Sequence, residues 1–280
     1  MDSVLEKLKS DEHYYGEFGK QYLSNSDIIT LLNDPKNFRQ DKEITKAMLL
    51  GRYFHTAMLE PEKVKSTEFL EIDASSRNTK KYKEEILTHN KSIMMLSKEK
   101  IDIDKAISTM TNNLEFYEAI YDEGNQYEVP AIKEVHGMMW KGKADIVAEE
   151  MLIDLKTTSN IKDFKYSARK YNYDSQAYLY QKFFGKPLVF YVVDKTTYEL
   201  GIYHPSQTFL EYGKEKSKCI TNFIVKMLKK ILNRTSLKKY FKKKSVVWLQ
   251  IPTDLNTQAE RDNLMEATMN QLEKIIYKSF

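Results

Sequence analysis

Two aspartates and a lysine near the middle of the sequence are spaced for joint action on one charged group. Gly142-Lys143-Ala144-Asp145-Ile146-Val147 is followed, after a short connection, by Leu152-Ile153-Asp154-Leu155-Lys156-Thr157-Thr158. If the two runs are adjacent strands, Asp145 and Asp154 come close together, and Lys156, two residues past Asp154, points to the same face. Converging carboxylates repel unless a cation lies between them, and such hard oxygen donors suit Mg2+ or Mn2+. The chemistry this set fits is phosphodiester hydrolysis: metal ions lower the pKa of an attacking water, and the Lys156 ammonium orients it or neutralises developing charge. Most Asp-x-Lys triplets are surface ion pairs on edge strands. Here apolar residues flank Asp154 on both sides, and charges buried in such a strand without a function would cost several kcal/mol per ion.

The elements that must position these residues follow from periodicity. Helical spacing covers residues 27–32 and 45–59, with Asp34-Pro35 breaking between them and Glu60-Pro61 ending the second stretch. Residues 77–121, rich in Lys, Glu and Ile, predict further helices with a charged solvated face. After Gly124 the pattern changes to short alternation over 127–135, 138–148 and 151–157, which predicts three strands in a meander. Residues 163–184 return to helical spacing and stop at Gly185, and 188–194 with 198–204 predict a final strand pair. Beyond Gly213 a basic helix is expected, with Ile220, Phe223, Ile224, Met227 and Ile231 on one face. Lys238, Lys239, Lys242, Lys243 and Lys244 continue it, and a more acidic helical stretch follows Pro252, with Leu264, Met269, Leu272 and Ile276 as its apolar positions. The order of helices, strands, helix and strands predicts an α/β fold, a central mixed β-sheet flanked by helices.

Composition narrows the chemistry. The lone Cys219 cannot build a disulfide framework or a Cys-ligated zinc or iron–sulfur site within one chain, so any metal must be held by oxygen and imidazole. A chain of 280 residues is expected to form one domain. No apolar run is long enough to span a bilayer, and the acidic residues Asp2, Glu6, Asp11 and Glu12 do not fit a signal peptide, so a cytoplasmic location is expected. The net charge of +4 is too small to identify a nucleic-acid partner by itself. The lysines between Lys214 and Lys244 would contact phosphates if they face a groove, and otherwise form a solvated helix face.

The ordered motifs resemble the RecE-type (exonuclease VIII) branch of the PD-(D/E)xK nucleases, relatives of phage lambda exonuclease. Leu23-Ser24-Asn25-Ser26-Asp27 with Asp34-Pro35 resembles that family's N-terminal signature, and Gly51-Arg52-Tyr53-Phe54-His55 with Leu59-Glu60-Pro61-Glu62 its helical histidine motif. Asp154-Leu155-Lys156-Thr157-Thr158 resembles its catalytic strand, and Tyr173, Gln176 and Tyr180 the tyrosine–glutamine motif of the next helix. The resemblance spans residues 23–204 and leaves 213–280 as a basic, helical C-terminal extension without an assigned role. It implies a PD-(D/E)xK nuclease core with His55, Asp145, Asp154 and the Leu155 carbonyl as metal ligands, Lys156 as catalytic lysine, and Glu128 as the upstream glutamate. Glu134 shares the strand face of Glu128 and could take that place. Ala144 stands where the superfamily's name has proline, a residue that shapes backbone and does no chemistry.

Two assignments have plain structural alternatives. His55 could be an ordinary helix histidine rather than a ligand, and Tyr173, Gln176 and Tyr180, on one helical face, could simply pack against the sheet rather than orient the site or touch DNA. The resemblance implies a Mg2+-dependent exodeoxyribonuclease (Mn2+ substituting) that degrades linear double-stranded DNA from 5′ ends and leaves 3′ single strands for recombination. It also implies a homo-oligomer and a partnering single-strand annealing protein. A catalytically silent DNA-binding protein and a structure-specific endonuclease on the same core are the competing readings.

Overall fold

The computed structural model describes residues 2–40, 43–65 and 69–234. Two short helices open the chain, α1 (Asp2–Lys9) and α2 (Asp11–Tyr15), neither signalled by the sequence pattern. Helix α3 (Asn25–Asn33) starts at Ser24, whose backbone N–H donates to Asp27 Oδ2 at 2.8 Å in a capping box. Helix α4 (Lys46–Leu59) is capped by the Thr45 hydroxyl, which accepts from Met48 N, and ends just before Pro61. The charged stretch then forms β1 (Glu71–Ile72), α5 (Lys80–Thr88), β2 (Met95–Leu96), α6 (Ser97–Asn112) and α7 (Leu114–Tyr121). The small parallel pairing of β1 with β2 has no sequence signature, since two-residue strands are too short to show alternation.

The main sheet follows: β3 (Gln126–Val135), β4 (Met138–Val147), β5 (Leu152–Thr158), then α8 (Phe164–Lys170) and α9 (Tyr173–Phe184), then β6 (Leu188–Asp194) and β7 (Leu200–Tyr203). Its spatial order is β3-β4-β5-β6-β7. β3, β4 and β5 form the expected antiparallel meander; β5 pairs parallel with β6, the chain crossing over through α8 and α9. All seven residues of β6 are buried, as a strand covered on both faces requires. One face packs under α3, α8, α9 and α10 (Gln207–Arg234) through Trp140, Leu152, Phe190 and Ile224; the other packs under α4, α6 and α7 through Phe54, Met110, Ile153 and Tyr191. This is the expected α/β fold, a central mixed sheet flanked by helices.

Two boundaries differ from expectation. The predicted helix over 163–184 is broken into α8 and α9 at Asn172, which adopts a left-handed backbone with φ of 57°. Helix α10 begins at Gln207 rather than after Gly213, because that glycine lies inside it at a close crossing: a Cβ on Gly213 would stand 2.0 Å from the Asp174 carbonyl oxygen. Ile220, Ile224 and Met227 face the core as predicted, with Phe223 partly buried beside them. The side chain of Ile231, the lysines from Lys238 to Lys244 and the stretch after Pro252 lie outside the described residues. Among the described residues, no helix is long and apolar enough to cross a membrane.

Candidate active site

The sheet opens where its charges sit. The β3–β4 ladder pairs Tyr127 with Ile146 and then Val129 with Ala144, so Glu128 and Asp145 face one another across a missing rung. Glu128 has a φ of 50°, a left-handed conformation that a non-glycine residue holds only when its surroundings enforce it. On the other side, β4 pairs with β5 at Val147↔Leu152 and Ile146↔Ile153, and the strands part at the next row, that of Asp145 and Asp154. Strand alternation is also upset at this row. Ala144 packs into the core beneath α9, whereas Ile146, of the same parity, packs into the core beneath α4. Glu128, Asp145 and Asp154 therefore occupy one line across three strands, at a fork in the sheet.

The fork is filled by polar contacts instead of a backbone ladder. Asp145 Oδ2 accepts from Leu155 N at 2.8 Å and lies 3.1 Å from His55 Nε2, which α4 brings in from one face. That same nitrogen lies 2.9 Å from the Leu155 carbonyl oxygen, and His55 Nδ1 donates to Gly51 O at 2.8 Å. With its proton on Nδ1, a neutral imidazole turns the Nε2 lone pair toward two oxygens. Three electron-rich atoms, His55 Nε2, Asp145 Oδ2 and Leu155 O, then converge where a positive charge is needed. In the metal-free protein a proton supplies it. Burial opposes the charged imidazole, but the Asp145 carboxylate outweighs burial and raises the His55 pKa. Burial likewise opposes the Asp145 carboxylate, and His55 and Lys156 together hold its pKa below the ordinary value.

From the opposite face, α9 supplies Gln176, whose Nε2 donates to Asp154 Oδ1 at 2.7 Å. Asp154 is 1% exposed, and its Oδ2 is ion-paired with Lys156 Nζ. Burial, then the nearby Asp145 charge, push the Asp154 pKa up against the pull of Lys156. Burial opposes the Lys156 ammonium, and the Asp154 and Asp145 carboxylates overcome it and raise its pKa. The ammonium sits 4.9 Å from the centre of the Tyr173 ring, and the Tyr180 hydroxyl accepts from Lys143 N at 3.3 Å. Tyr173, Gln176 and Tyr180 thus all face the sheet, although the helix expected to carry them is broken just before the first.

A cleft of about 280 Å3 opens over this fork, lined by His55, Glu128, Asp145, Gln176 and Tyr180, with Asp154 and Lys156 behind it. Burial, followed by the Asp145 charge, raises the pKa of Glu128. Glu134 is exposed and pairs with Met139 at the hairpin end of β3, about 20 Å from Glu128 for six residues of strand. Of the two glutamates, Glu128 is the one the fold brings to the cleft.

No periodicity in the sequence signals the wall that α2 builds. Asp11, Tyr14 and Tyr15 line the cleft, and Lys143 Nζ joins that wall to the fork, 2.5 Å from Asp11 Oδ1 and 3.8 Å from Glu128 Oε2. Lys141 Nζ donates to the Tyr14 carbonyl oxygen, tying α2 to β4. Lys143 was readable in principle, being two residues from Asp145 on the same strand; the α2 residues share no periodicity with the site.

The residues fit a divalent cation by donor chemistry: an imidazole lone pair, a carboxylate and a carbonyl converge, and a second buried carboxylate, Asp154, stands beside them with its Oδ2 paired to the Lys156 ammonium. The set is not drawn tight. Among the described residues, no three His, Cys, Asp or Glu side chains already close around one point.

Residues 30–233 match the family described as PDDEXK-like domain of unknown function (DUF3799). A crystal structure from Eubacterium rectale, described as "Putative exonuclease", superposes with a TM-score of 0.54 at 20% identity, covering 75% of this chain and 82% of its own. At that identity the likeness is one of fold. A second solved structure, SSO0001, aligns at 15% identity over 60% of this chain and 85% of its own, with a TM-score of 0.27. No curated protein matches the chain.

Proposed function

The chain belongs to this PDDEXK-like family, DUF3799, and on that premise we propose that it is a metal-dependent nuclease hydrolysing phosphodiester bonds at the fork between β4 and β5. The observation that carries this reading is the convergence of His55 Nε2, Asp145 Oδ2 and Leu155 O on a point that requires positive charge. His55, Asp145, Asp154 and the Leu155 carbonyl would hold the ion, and Mg2+ or Mn2+ suits this oxygen-rich set. When bound, such an ion lowers the pKa of water and stabilises negative charge on phosphate.

The chain's own groups do the rest. Gln176 fixes one oxygen of Asp154 and leaves the other turned to the ion site and to Lys156. The Lys156 ammonium, held charged by two carboxylates, stabilises charge developing on the phosphate oxygens. Glu128 faces the cleft with a raised pKa, so it can exchange a proton with water near neutral pH. Tyr173 packs on Lys156 and Tyr180 lines the cleft, and both hold the substrate strand in place.

The finer reading is an exodeoxyribonuclease of the RecE type, acting on linear duplex DNA in the 5′ to 3′ direction and leaving 3′ single strands for recombination. It is supported by the order of motifs in the sequence, with His55 upstream of Asp145, Asp154-Leu155-Lys156 and Gln176. The same reading carries a homo-oligomer that encloses DNA ends, a single-strand annealing partner and a cytoplasmic setting. The test is incubation with linear and with closed circular duplex, each with Mg2+, Mn2+ or chelator. Loss of the linear form from its 5′ ends, with the circle intact and chelator inhibiting, is the expected result. Cleavage of the circle would instead indicate an endonuclease, and loss of neither form a silent DNA-binding protein.

A further inference from the structure

A second groove approaches the site from the Lys156 side. It has a volume of about 330 Å3 and runs between α8, the end of β7 and the start of α10, over a floor that includes Phe164 and Phe190. These floor rings belong also to the packing of the candidate site: Tyr173 lies 6.1 Å from the Phe164 ring and 5.7 Å from that of Phe190, and Lys156 Nζ is 6.0 Å from the latter. Asp154 and Lys156 are thus bracketed by the cleft on the His55 side and by this groove on the other.

The surface around the groove pairs exposed rings with cations. Tyr166, Tyr171 and Tyr212 are 63%, 52% and 53% exposed. Each has a basic group over its ring: Lys165 at 4.9 Å from Tyr166, Lys170 at 5.8 Å from Tyr171 and Arg169 at 5.3 Å from Tyr212. Helix α8 carries these three cations and no acidic residue. Single exposed tyrosines are unremarkable. Tyr166, Lys165 and Arg169 line the groove, while Tyr212 stands beside it against Arg169 and Tyr171 follows at the end of α8; together they make a surface with two kinds of affinity, cations for phosphate and rings for the faces of bases. Tyr171 also continues to the site, its ring 6.0 Å from that of Tyr173.

We propose that this groove, with the exposed surface of α8 and α10 beside it, is a binding track for single-stranded nucleic acid, in which unstacked bases lie on Tyr166 in the groove and on Tyr171 and Tyr212 beside it while Lys165, Arg169 and Lys170 contact the backbone phosphates. A duplex hides its base faces inside the stack, so exposed rings reward only a single strand. The inference rests on the nuclease reading for its role: the strand that the track holds is the one separated at the fork, kept beside Lys156.

The test uses the full chain in chelator, so that nothing is cleaved, with fluorescently labelled oligothymidylate and an abasic oligomer of equal length and charge. Anisotropy titration is expected to show the oligothymidylate binding about tenfold more tightly than the abasic strand, the scale of stacking a base or two on aromatic rings. Replacing all three tyrosines by alanine is expected to abolish that difference, whereas Tyr→Phe at the same positions preserves it. Arg169→Glu is expected to weaken both strands alike, since it opposes phosphate rather than base. Because the altered side chains are all exposed, thermal melting should match the parent protein. Equal affinity of the parent for both strands, or a triple alanine variant that keeps the preference, overturns the proposal. Cleavage of linear duplex in Mg2+ is scored separately: intact base preference without cleavage supports the track and removes the nuclease reading, and cleavage without base preference does the reverse.

Discussion

His55 Nε2 and the Leu155 carbonyl oxygen lie 2.9 Å apart across one hundred residues of sequence, with the Asp145 carboxylate at 3.1 Å from the same nitrogen. In the metal-free protein this contact calls for an imidazolium, and its raised pKa ties stability to pH. A histidine whose folded pKa is raised contributes stability that is fully present below its unfolded value of about 6.5 and is lost as pH climbs through the folded one. Denaturant unfolding in chelator should therefore show stability falling above about pH 6.5, and His55→Ala should flatten that slope. Mn2+ should raise the melting temperature of the parent protein at pH 8 much more than that of His55→Ala. A variant stabilised by Mn2+ as much as the parent would remove His55 from the ligand set.

Lys156→Ala and Asp154→Asn should both stop hydrolysis but differ otherwise. Truncating the lysine leaves the buried Asp154 charge without its partner, so unfolding in chelator should be easier by about 3 kcal/mol, and a divalent cation should recover part of that loss. Asp154→Asn instead removes charge that holds the ion, so metal affinity measured by calorimetry should drop with activity. The double variant Asp154→Asn with Lys156→Met should be more stable than Lys156→Ala alone and equally inactive. A Lys156→Ala protein that folds normally and cleaves DNA at the parental rate would reduce the lysine to an ion-pair partner.

Glu128 holds two unfavourable states together, a left-handed backbone and a buried carboxylate with a raised pKa. Glu128→Gly frees the backbone and deletes the acid, and should stabilise the metal-free protein by about 1 kcal/mol while lowering cleavage by about a hundredfold. An acid with a raised folded pKa disfavours the folded state as pH rises from its unfolded value, so the gain should be larger at pH 8 than at pH 5. Thermal melts at the two pH values read this directly, and a Glu128→Gly protein less stable than the parent at pH 8 would contradict it.

Away from the site, Glu99 receives both arms of the Arg77 guanidinium at 2.6 and 2.7 Å and Lys46 at 2.8 Å, and accepts from Leu96 N at the start of α6. Burial raises its pKa, but the Arg77 and Lys46 contacts prevail and lower it to about 2. A depressed acid pKa gives stability that is present above its unfolded value and lost as pH falls through the folded one. Glu99→Ala should therefore cost about 2 kcal/mol at neutral pH, a figure discounted for the solvent around Lys46, and the difference should fade between pH 4.5 and about 2. Urea unfolding across that range measures it; a pH-independent difference would mean that packing, not charge, dominates.

How much of this was legible in sequence depends on whether a residue's role shows in a period. Asp145, Asp154 and Lys156 were legible because alternation and a short turn suffice to bring them together, and the meander is as expected. Gln176 was legible despite the break at Asn172, since α9 keeps one phase from Tyr173 to Phe184. Glu128 and Glu134 could not be separated, because parity is identical and the hand of the Glu128 backbone is imposed by its neighbours. The α2 wall was illegible for another reason: Lys141 grips it by the Tyr14 main-chain oxygen, a contact that any residue type at position 14 could offer.

The row shared by Glu128, Asp145 and Asp154 makes sheet alignment and site assembly a single event. Were β3 to settle on β4 one residue out of place, Tyr127 or Val129 would stand opposite Asp145, and the same slip of β5 would present Ile153 or Leu155 in place of Asp154. A chain that misaligns therefore never lines up the three carboxylates, and the row exists only in the correctly registered sheet.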